Sequence, residues 1–130
     1  MKAKILYIED NTQNFYLVNF ILTAAGFEVV WAKDGPDGVE QAARCWADLI
    51  LLDIQLPGMD GYAVAQALRG NPALSSTPIV ALTSYAMAGD REKALAAGCT
   101  GYIEKPIDPG SFAAQVERHL LSARSEGGAS

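Results

Sequence analysis

The feature that most constrains the fold is an alternation of short apolar segments with longer segments of helical periodicity. Five segments have the length and residue types of strands: Lys4–Ile8, Phe27–Trp31, Leu49–Leu52, Pro78–Thr83 and Thr100–Glu104. The first, third and fourth are nearly continuous in apolar character, as expected for parallel strands covered on both faces. Since a helical segment follows each strand, the pattern predicts one doubly wound α/β domain with a mainly parallel sheet.

Apolar residues at three- and four-residue steps predict a helix after each strand. The helices are expected at 12–25, from about 36, from about 61, at 88–97 and from about 109. Asp60 and Asp108 stand where the N-caps of the third and fifth helices are expected. Trp46 is predicted on the buried face of the second helix.

Length and charge limit the classes of function. A chain of 130 residues is one domain, and its net charge of −5 argues against a general nucleic-acid binder, which needs an excess of Lys and Arg. The start, "MKAKILYIED", has too short an apolar run for a signal peptide or a membrane span. Cys45 and Cys99 form no CxxC pair and are interpreted as small buried residues in a reducing compartment. A cytoplasmic protein with no membrane partner is therefore expected.

The composition changes only near the end of the chain. The segment 122–130, "SARSEGGAS", is small and polar. We predict a domain over 1–124 and a flexible polar tail over 125–130.

Polar residues stand where the predicted parallel strands end. Glu9 and Asp10 follow the first strand, Asp53 the third, Thr83 ends the fourth, and Lys105 follows the fifth. Because parallel strands present their carboxyl ends at one edge of a sheet, these side chains are expected to meet in a single cleft.

The charge of this predicted cleft favours a divalent cation. Three carboxylates and one ammonium leave two negative charges, which would raise the carboxyl pKa values unless a cation compensated them. Mg²⁺ fits best, since it takes few protein carboxylates and keeps waters that a phosphate can replace. Asp10 and Asp53 are the expected direct ligands, Glu9 a ligand through water, and the backbone carbonyl of Gln55 a further oxygen.

Such a cleft could carry out phosphoryl transfer. The carboxylate of Asp53 could attack a phosphoryl group in line and form an acyl phosphate. Phosphoryl transfer needs the charge on the equatorial phosphoryl oxygens to be neutralised. Mg²⁺, Lys105 and Thr83 could each hold one of these oxygens.

The ordered set of residues resembles the receiver domain of two-component response regulators. The motifs "YIEDN", "LLDIQLPGMDGY", "ALTSYAMAGD" and "AGCTGYIEKPID" are most similar to single-domain regulators of the DivK kind and to receivers of hybrid histidine kinases. The resemblance extends over roughly 4–123 and rests on a shared set in a shared order: Glu9, Asp10, Asp53, Thr83, Tyr102, Lys105 and Pro106.

The resemblance implies a fold, a reaction and partners. The fold would be flavodoxin-like, a five-stranded parallel sheet in the order 2-1-3-4-5. Asp53 would accept a phosphoryl group from a phosphohistidine on a sensor histidine kinase or a histidine phosphotransfer protein, with Mg²⁺ required. The chain would catalyse only its own phosphorylation and dephosphorylation, and would act through a downstream protein target with no direct contact to nucleic acid.

The resemblance also implies a conformational switch. Thr83 and Ser84 would bind the phosphate with Lys105, and Tyr102 would turn inward behind Thr83. That change would reshape the face made by the fourth helix, the fifth strand and the fifth helix. The Lys105–Pro106 peptide bond would be cis.

Three alternatives come from other functional classes. An aspartate-nucleophile phosphatase or a flavodoxin-like flavin binder would share the fold. The first lacks its DxD motif here, and the second lacks a Ser/Thr-rich loop after the first strand, where the sequence is "EDNTQN". An interaction module that is never phosphorylated usually loses the acceptor, the metal acid or the lysine, yet Asp53, Asp10 and Lys105 are all present.

Overall fold

Strand and helix alternate along the chain in the computed structural model, which describes residues 3–54, 60–83 and 89–128. The predicted alternation is confirmed. The elements are β1 Lys4–Ile8, α1 Thr12–Ala24, β2 Glu28–Ala32, α2 Gly35–Ala42, β3 Leu49–Asp53, α3 Gly61–Arg69, a 3₁₀ turn Pro72–Leu74, β4 Ile79–Thr83, α4 Asp90–Ala96, β5 Gly101–Glu104 and α5 Phe112–Gly128.

The strands form one parallel sheet in the order β2-β1-β3-β4-β5, as the resemblance implied. The chain leaves β1 for one edge of the sheet and then crosses back to build β3, β4 and β5 on the other side. The winding therefore reverses beside β1, between β1 and β3, where ligands bind in folds of this kind.

Two apolar layers cover the sheet. On one face, Ile5 and Leu51 pack with residues of α1 and α5 such as Val18 and Phe112. On the other face, residues such as Ile50 pack against α2, α3 and α4. All five residues of β3 and of β4 are buried, which explains why these segments are apolar without alternation.

Three details differ from the sequence predictions. α2 ends at Ala42, and Trp46 lies in the following loop with a positive φ of 55° and 84% of its surface exposed, so its predicted burial is wrong. α5 begins at Phe112, later than predicted, because Asp108 folds the preceding residues into a turn, its Oδ1 and Oδ2 accepting hydrogen bonds from the Gly110 amide and the Ser111 hydroxyl. α5 also runs on to Gly128, into the stretch that its composition assigned to a tail.

Within the described ranges, no helix combines the length and the apolar content needed to cross a membrane.

Candidate functional site

The register of the central strands brings Glu9, Asp53 and Thr83 to one edge of the sheet. Ile8 pairs with Leu52, so Glu9 and Asp53 lie side by side one residue further on. Asp53 in turn pairs with Leu82, which puts Thr83 beyond it at the end of β4.

The carboxylates of Glu9, Asp10 and Asp53 form what we call the acid cluster. One oxygen from each can be chosen so that all three lie within 4.8 Å of one another. Glu9 and Asp53 are buried, whereas Asp10 is exposed at the mouth of the cleft. A cluster that offers only carboxylate oxygens fits a hard divalent cation such as Mg²⁺, and the exposed member leaves a side open to water and to a phosphoryl group.

Lys105 supplies the positive charge of the site. Its Nζ lies 3.2 Å from Oδ2 of Asp53, and both side chains are largely shielded from solvent. The Lys105 amide donates a hydrogen bond of 2.8 Å to the carbonyl of Thr83, which fixes the chain as it leaves β5. The Lys105–Pro106 peptide bond is cis.

Glu9 is held through both its side chain and its backbone carbonyl. The buried hydroxyl of Tyr7 donates to Glu9 Oε1 at 2.9 Å, and the indole N–H of Trp31 donates to the Glu9 carbonyl at 2.8 Å. Burial and the nearby Asp53 raise the pKa of Glu9 from 4.5 to about 7, although Tyr7 and Lys105 act in the opposite direction. Burial and Glu9 also raise the pKa of the Tyr7 hydroxyl, which therefore stays a hydrogen-bond donor.

The start of α1 shows that the two acids are not used as helix caps. Asn11 is the N-cap, and its Oδ1 accepts a hydrogen bond of 2.9 Å from the Asn14 amide. Because Asn11 performs this role, neither Glu9 nor Asp10 is needed to cap α1.

The predicted switch residues lie on neighbouring strands. Thr83 is buried at the end of β4, and Tyr102 is half-buried on β5, where it packs against the apolar layer on the α4 side. Tyr102 also lines a groove of about 370 Å³ between α4 and α5, together with Leu95, Gln115 and His119. We call this the α4–α5 groove. Gln55 and Ser84, the other predicted site residues, lie outside the described residues.

Sequence reasoning missed Tyr7 and Trp31. A signal existed for Tyr7, since residues two apart in a strand project to the same side, and Tyr7 precedes Glu9 by two. For Trp31 the signal was weaker. Its contact with Glu9 depends on the pairing of β1 with β2, in which Tyr7 stands opposite Trp31.

Comparison with protein families gives a match over most of the chain. Residues 5–117 match the model of the response regulator receiver domain. The match includes the acid cluster, Thr83, Tyr102 and Lys105.

Two curated relatives show how such a domain is used. The chain is 34% identical to the polar-differentiation response regulator DivK of Brucella ovis, over 95% of the chain and 100% of that protein. It is 40% identical to the response regulator PleD of Caulobacter vibrioides over 89% of the chain. The chain spans only 26% of the length of PleD.

A solved structure similar to the chain is the receiver domain of a sensor histidine kinase from Pseudomonas aeruginosa. Its TM-score is 0.83 at 34% identity, with 92% of the chain and 98% of that domain covered. That structure is described as having a magnesium ion coordinated in its active site cleft.

Proposed function

The chain belongs to the response regulator receiver domain family of two-component systems, and from that premise we propose that Asp53 accepts a phosphoryl group from a phosphohistidine. One observation carries the proposal. Asp53 is 3% exposed and lies 3.2 Å from the Lys105 ammonium, within a cluster of three carboxylates. Burying a carboxylate close to two others costs folding free energy, so a purely structural role does not explain the arrangement. The same arrangement suits a carboxylate that attacks phosphorus.

The transfer needs Asp53 as an anion. One carboxylate oxygen attacks the phosphorus in line, the P–N bond to the donor histidine breaks, and an acyl phosphate forms on Asp53. The Lys105 ammonium lies beside the Asp53 carboxylate before the reaction and can pair with a phosphoryl oxygen afterwards. Receiver domains are signalling domains, and we expect no turnover beyond the phosphorylation and dephosphorylation of the chain itself.

Asp10 and Asp53 are the residues that would hold Mg²⁺, with Glu9 acting through water and the Gln55 carbonyl as a further ligand. The metal, when bound, would supply positive charge to the transferring phosphoryl group. The oxygen-only acid cluster supports this assignment, as does the magnesium ion reported in the cleft of the Pseudomonas receiver.

Phosphorylation is proposed to act on the α4–α5 groove. Thr83, Ser84 and Lys105 bind the new phosphate, and Tyr102 turns inward behind Thr83. Since Tyr102 borders the α4–α5 groove, its movement changes the surface that a downstream protein target contacts.

The donor is proposed to be a sensor histidine kinase or a histidine phosphotransfer protein in the cytoplasm. A groove of about 500 Å³, lined by Asn14, Leu17, Lys105, Pro106 and Ile107, opens beside the acid cluster and could receive the donor's surface. We expect no direct contact with nucleic acid, in keeping with the net charge of −5.

The test is to incubate the protein with acetyl phosphate, with Mg²⁺ or with EDTA, and to measure its intact mass. A single phosphoryl adduct that forms only with Mg²⁺ is expected. A folded protein that gains no adduct would instead be an interaction module, and continuous release of phosphate without an adduct would indicate a phosphatase.

A further inference from the structure

We propose that Tyr7 and Trp31 are positioning residues that jointly hold Glu9 so that its carboxylate stays within the acid cluster. The inference rests on the proposed function, because it assigns these two side chains to the metal site of the phosphorylation reaction. Neither side chain would touch the metal or the phosphoryl group. Both would act through Glu9.

The Tyr7 hydroxyl fixes the side chain of Glu9. Tyr7 has no exposed surface, and its ring belongs to the apolar layer beneath α1 and α5. The hydroxyl donates to Glu9 Oε1 at 2.9 Å, and the Asn11 amide donates to the other oxygen, Oε2, at 3.4 Å. One carboxylate oxygen is thus held firmly from the core side, and the carboxylate cannot rotate freely away from Asp10 and Asp53.

The Trp31 indole fixes the backbone of Glu9. Its N–H donates to the Glu9 carbonyl at 2.8 Å, and the Glu9 amide donates to the carbonyl of Ala32 at 3.0 Å. Trp31 and Ala32 both belong to β2, so Glu9 continues the pairing of β1 with β2 one residue beyond Ile8.

Stacked aromatic rings hold the side chains of Tyr7 and Trp31 in place. The rings of Phe15 and Trp31 are 4.2 Å apart at 10°, and the rings of Phe15 and Tyr7 are 6.4 Å apart at 22°. Phe15 lies on α1, so one ring of the helix locks side chains from β1 and β2 together. An apolar residue at position 7 or 31 could fill the same layer, but it could not donate a hydrogen bond to Glu9. Packing therefore accounts for the rings of Tyr7 and Trp31, but not for the Tyr7 hydroxyl and the Trp31 indole N–H.

The test compares Tyr7→Phe and Trp31→Phe with the wild type. Both variants keep an aromatic ring in the stack and lose the donor to Glu9, and Trp31→Phe also has a smaller ring than the indole it replaces. Tyr16→Phe and Trp46→Phe are matched controls, since both residues are exposed. Isothermal titration calorimetry without a phosphoryl donor gives the Kd for Mg²⁺, and circular dichroism confirms that each variant is folded.

We expect Tyr7→Phe to weaken Mg²⁺ binding by about tenfold, with a smaller loss in Trp31→Phe, because partners of metal-site ligands commonly contribute this much to affinity. The controls should keep the wild-type Kd. At saturating Mg²⁺ the rate of phosphorylation of both variants should return to that of the wild type, which a general loss of packing would not allow.

A Kd within about twofold of the wild type in the folded variants would overturn the inference, given the usual size of such effects. If Tyr7→Phe does not fold, Trp31→Phe alone decides by the same criterion. These results concern the inference only, because the wild type would still bind Mg²⁺ and be phosphorylated. A wild-type protein that binds no Mg²⁺ would overturn the proposed function as well.

Discussion

We propose that Lys105 both assists the reaction of Asp53 and competes with a cation for its carboxylate. Its ammonium lies 3.2 Å from the Asp53 carboxylate, to which a divalent cation would also bind. We predict that Lys105→Met slows phosphorylation by acetyl phosphate about a hundredfold, since a preorganised charge aimed at the transition state is lost. The same change should tighten Mg²⁺ binding, because the acid cluster loses its internal cation.

The rate is measured by intact mass over time and the affinity by calorimetry. Lys93→Met, at an exposed position of α4, is the matched control and should change neither quantity. Weaker Mg²⁺ binding in Lys105→Met would contradict the competition described above.

The buried Glu9 makes the stability of the metal-free protein depend on pH. Its pKa is raised from 4.5 to about 7, so the folded state binds this proton more tightly than the unfolded state does. The resulting stabilisation is complete below pH 4.5 and is lost as the pH rises through 7. In EDTA, the free energy of unfolding of the wild type should therefore fall between about pH 5 and pH 8 relative to that of Glu9→Gln.

Urea unfolding at several pH values measures this difference. Glu117→Gln, an exposed change on α5, controls for the loss of one acid and should follow the wild type. A difference between wild type and Glu9→Gln that stays constant with pH would show that Glu9 is not the titrating group.

At the residue scale, the sequence predicted which residues stand at the shared edge of the sheet but not how each side chain is held. Glu9, Asp10, Asp53, Thr83 and Lys105 could be found because each stands at the end of an apolar run. The hydrogen bonds of Tyr7 and Trp31 could not be found in this way. They depend on side-chain rotamers and on the register of β1 with β2, which periodicity does not specify.

At the element scale, the start of α3 determines the position of the chain just after Asp53. A Cβ on Gly61 would lie 2.5 Å from Cα and 2.6 Å from the carbonyl oxygen of Ile54, and backbone cannot move aside as a side chain can. We predict that Gly61→Ala lowers the free energy of unfolding by about 1–3 kcal/mol, the usual effect of overpacking. It should also slow phosphorylation, because Ile54 adjoins the acceptor.

Gly70→Ala at the other end of α3 is the matched control. Its Cβ would meet neighbours only at 3.4 Å and 3.6 Å, and its φ of −70° suits alanine. It should leave both stability and rate close to wild type, as measured by urea unfolding and by intact mass. Equal effects of the two substitutions would contradict the role given to the contact between Gly61 and Ile54.

The start of α3 was predicted correctly from its cap, whereas the start of α5 and the end of α2 were not. Asp60 caps α3 as predicted, its side chain accepting a hydrogen bond from the Tyr62 amide. The spacing of apolar residues placed Trp46 on the buried face of α2, but α2 ends at Ala42. Nothing in the spacing of residues marks the backbone at 46 as left-handed, a conformation that is uncommon for tryptophan.

At the scale of the whole molecule, cation binding should be coupled to folding, because the acid cluster exists only when the ends of β1 and β3 meet. A ligand that binds only the folded state stabilises it by about 2.7 kcal/mol at a concentration one hundred times its Kd. We predict this gain with Mg²⁺ for the wild type, and its loss in Asp10→Asn. Urea unfolding over a series of Mg²⁺ concentrations gives the dependence, and an equal gain in Asp10→Asn would place the bound cation elsewhere.

The class of fold followed from the sequence, whereas the strand order came from the family resemblance. Alternating strands and helices predict a parallel sheet, but several orders of five strands satisfy that pattern. The order β2-β1-β3-β4-β5 matters for function, since it puts β1 beside β3 and thereby joins Glu9 and Asp10 to Asp53.

The central claim is that Asp53 becomes an acyl phosphate, and chemical mapping of the modified residue tests it most directly. Protein treated with acetyl phosphate and Mg²⁺ is reduced with borohydride, which converts an aspartyl phosphate into homoserine, and its peptides are then sequenced by mass spectrometry. Homoserine at position 53, dependent on Mg²⁺, is the predicted result. Homoserine at position 10, or phosphorylated protein with an unmodified Asp53, would contradict the account.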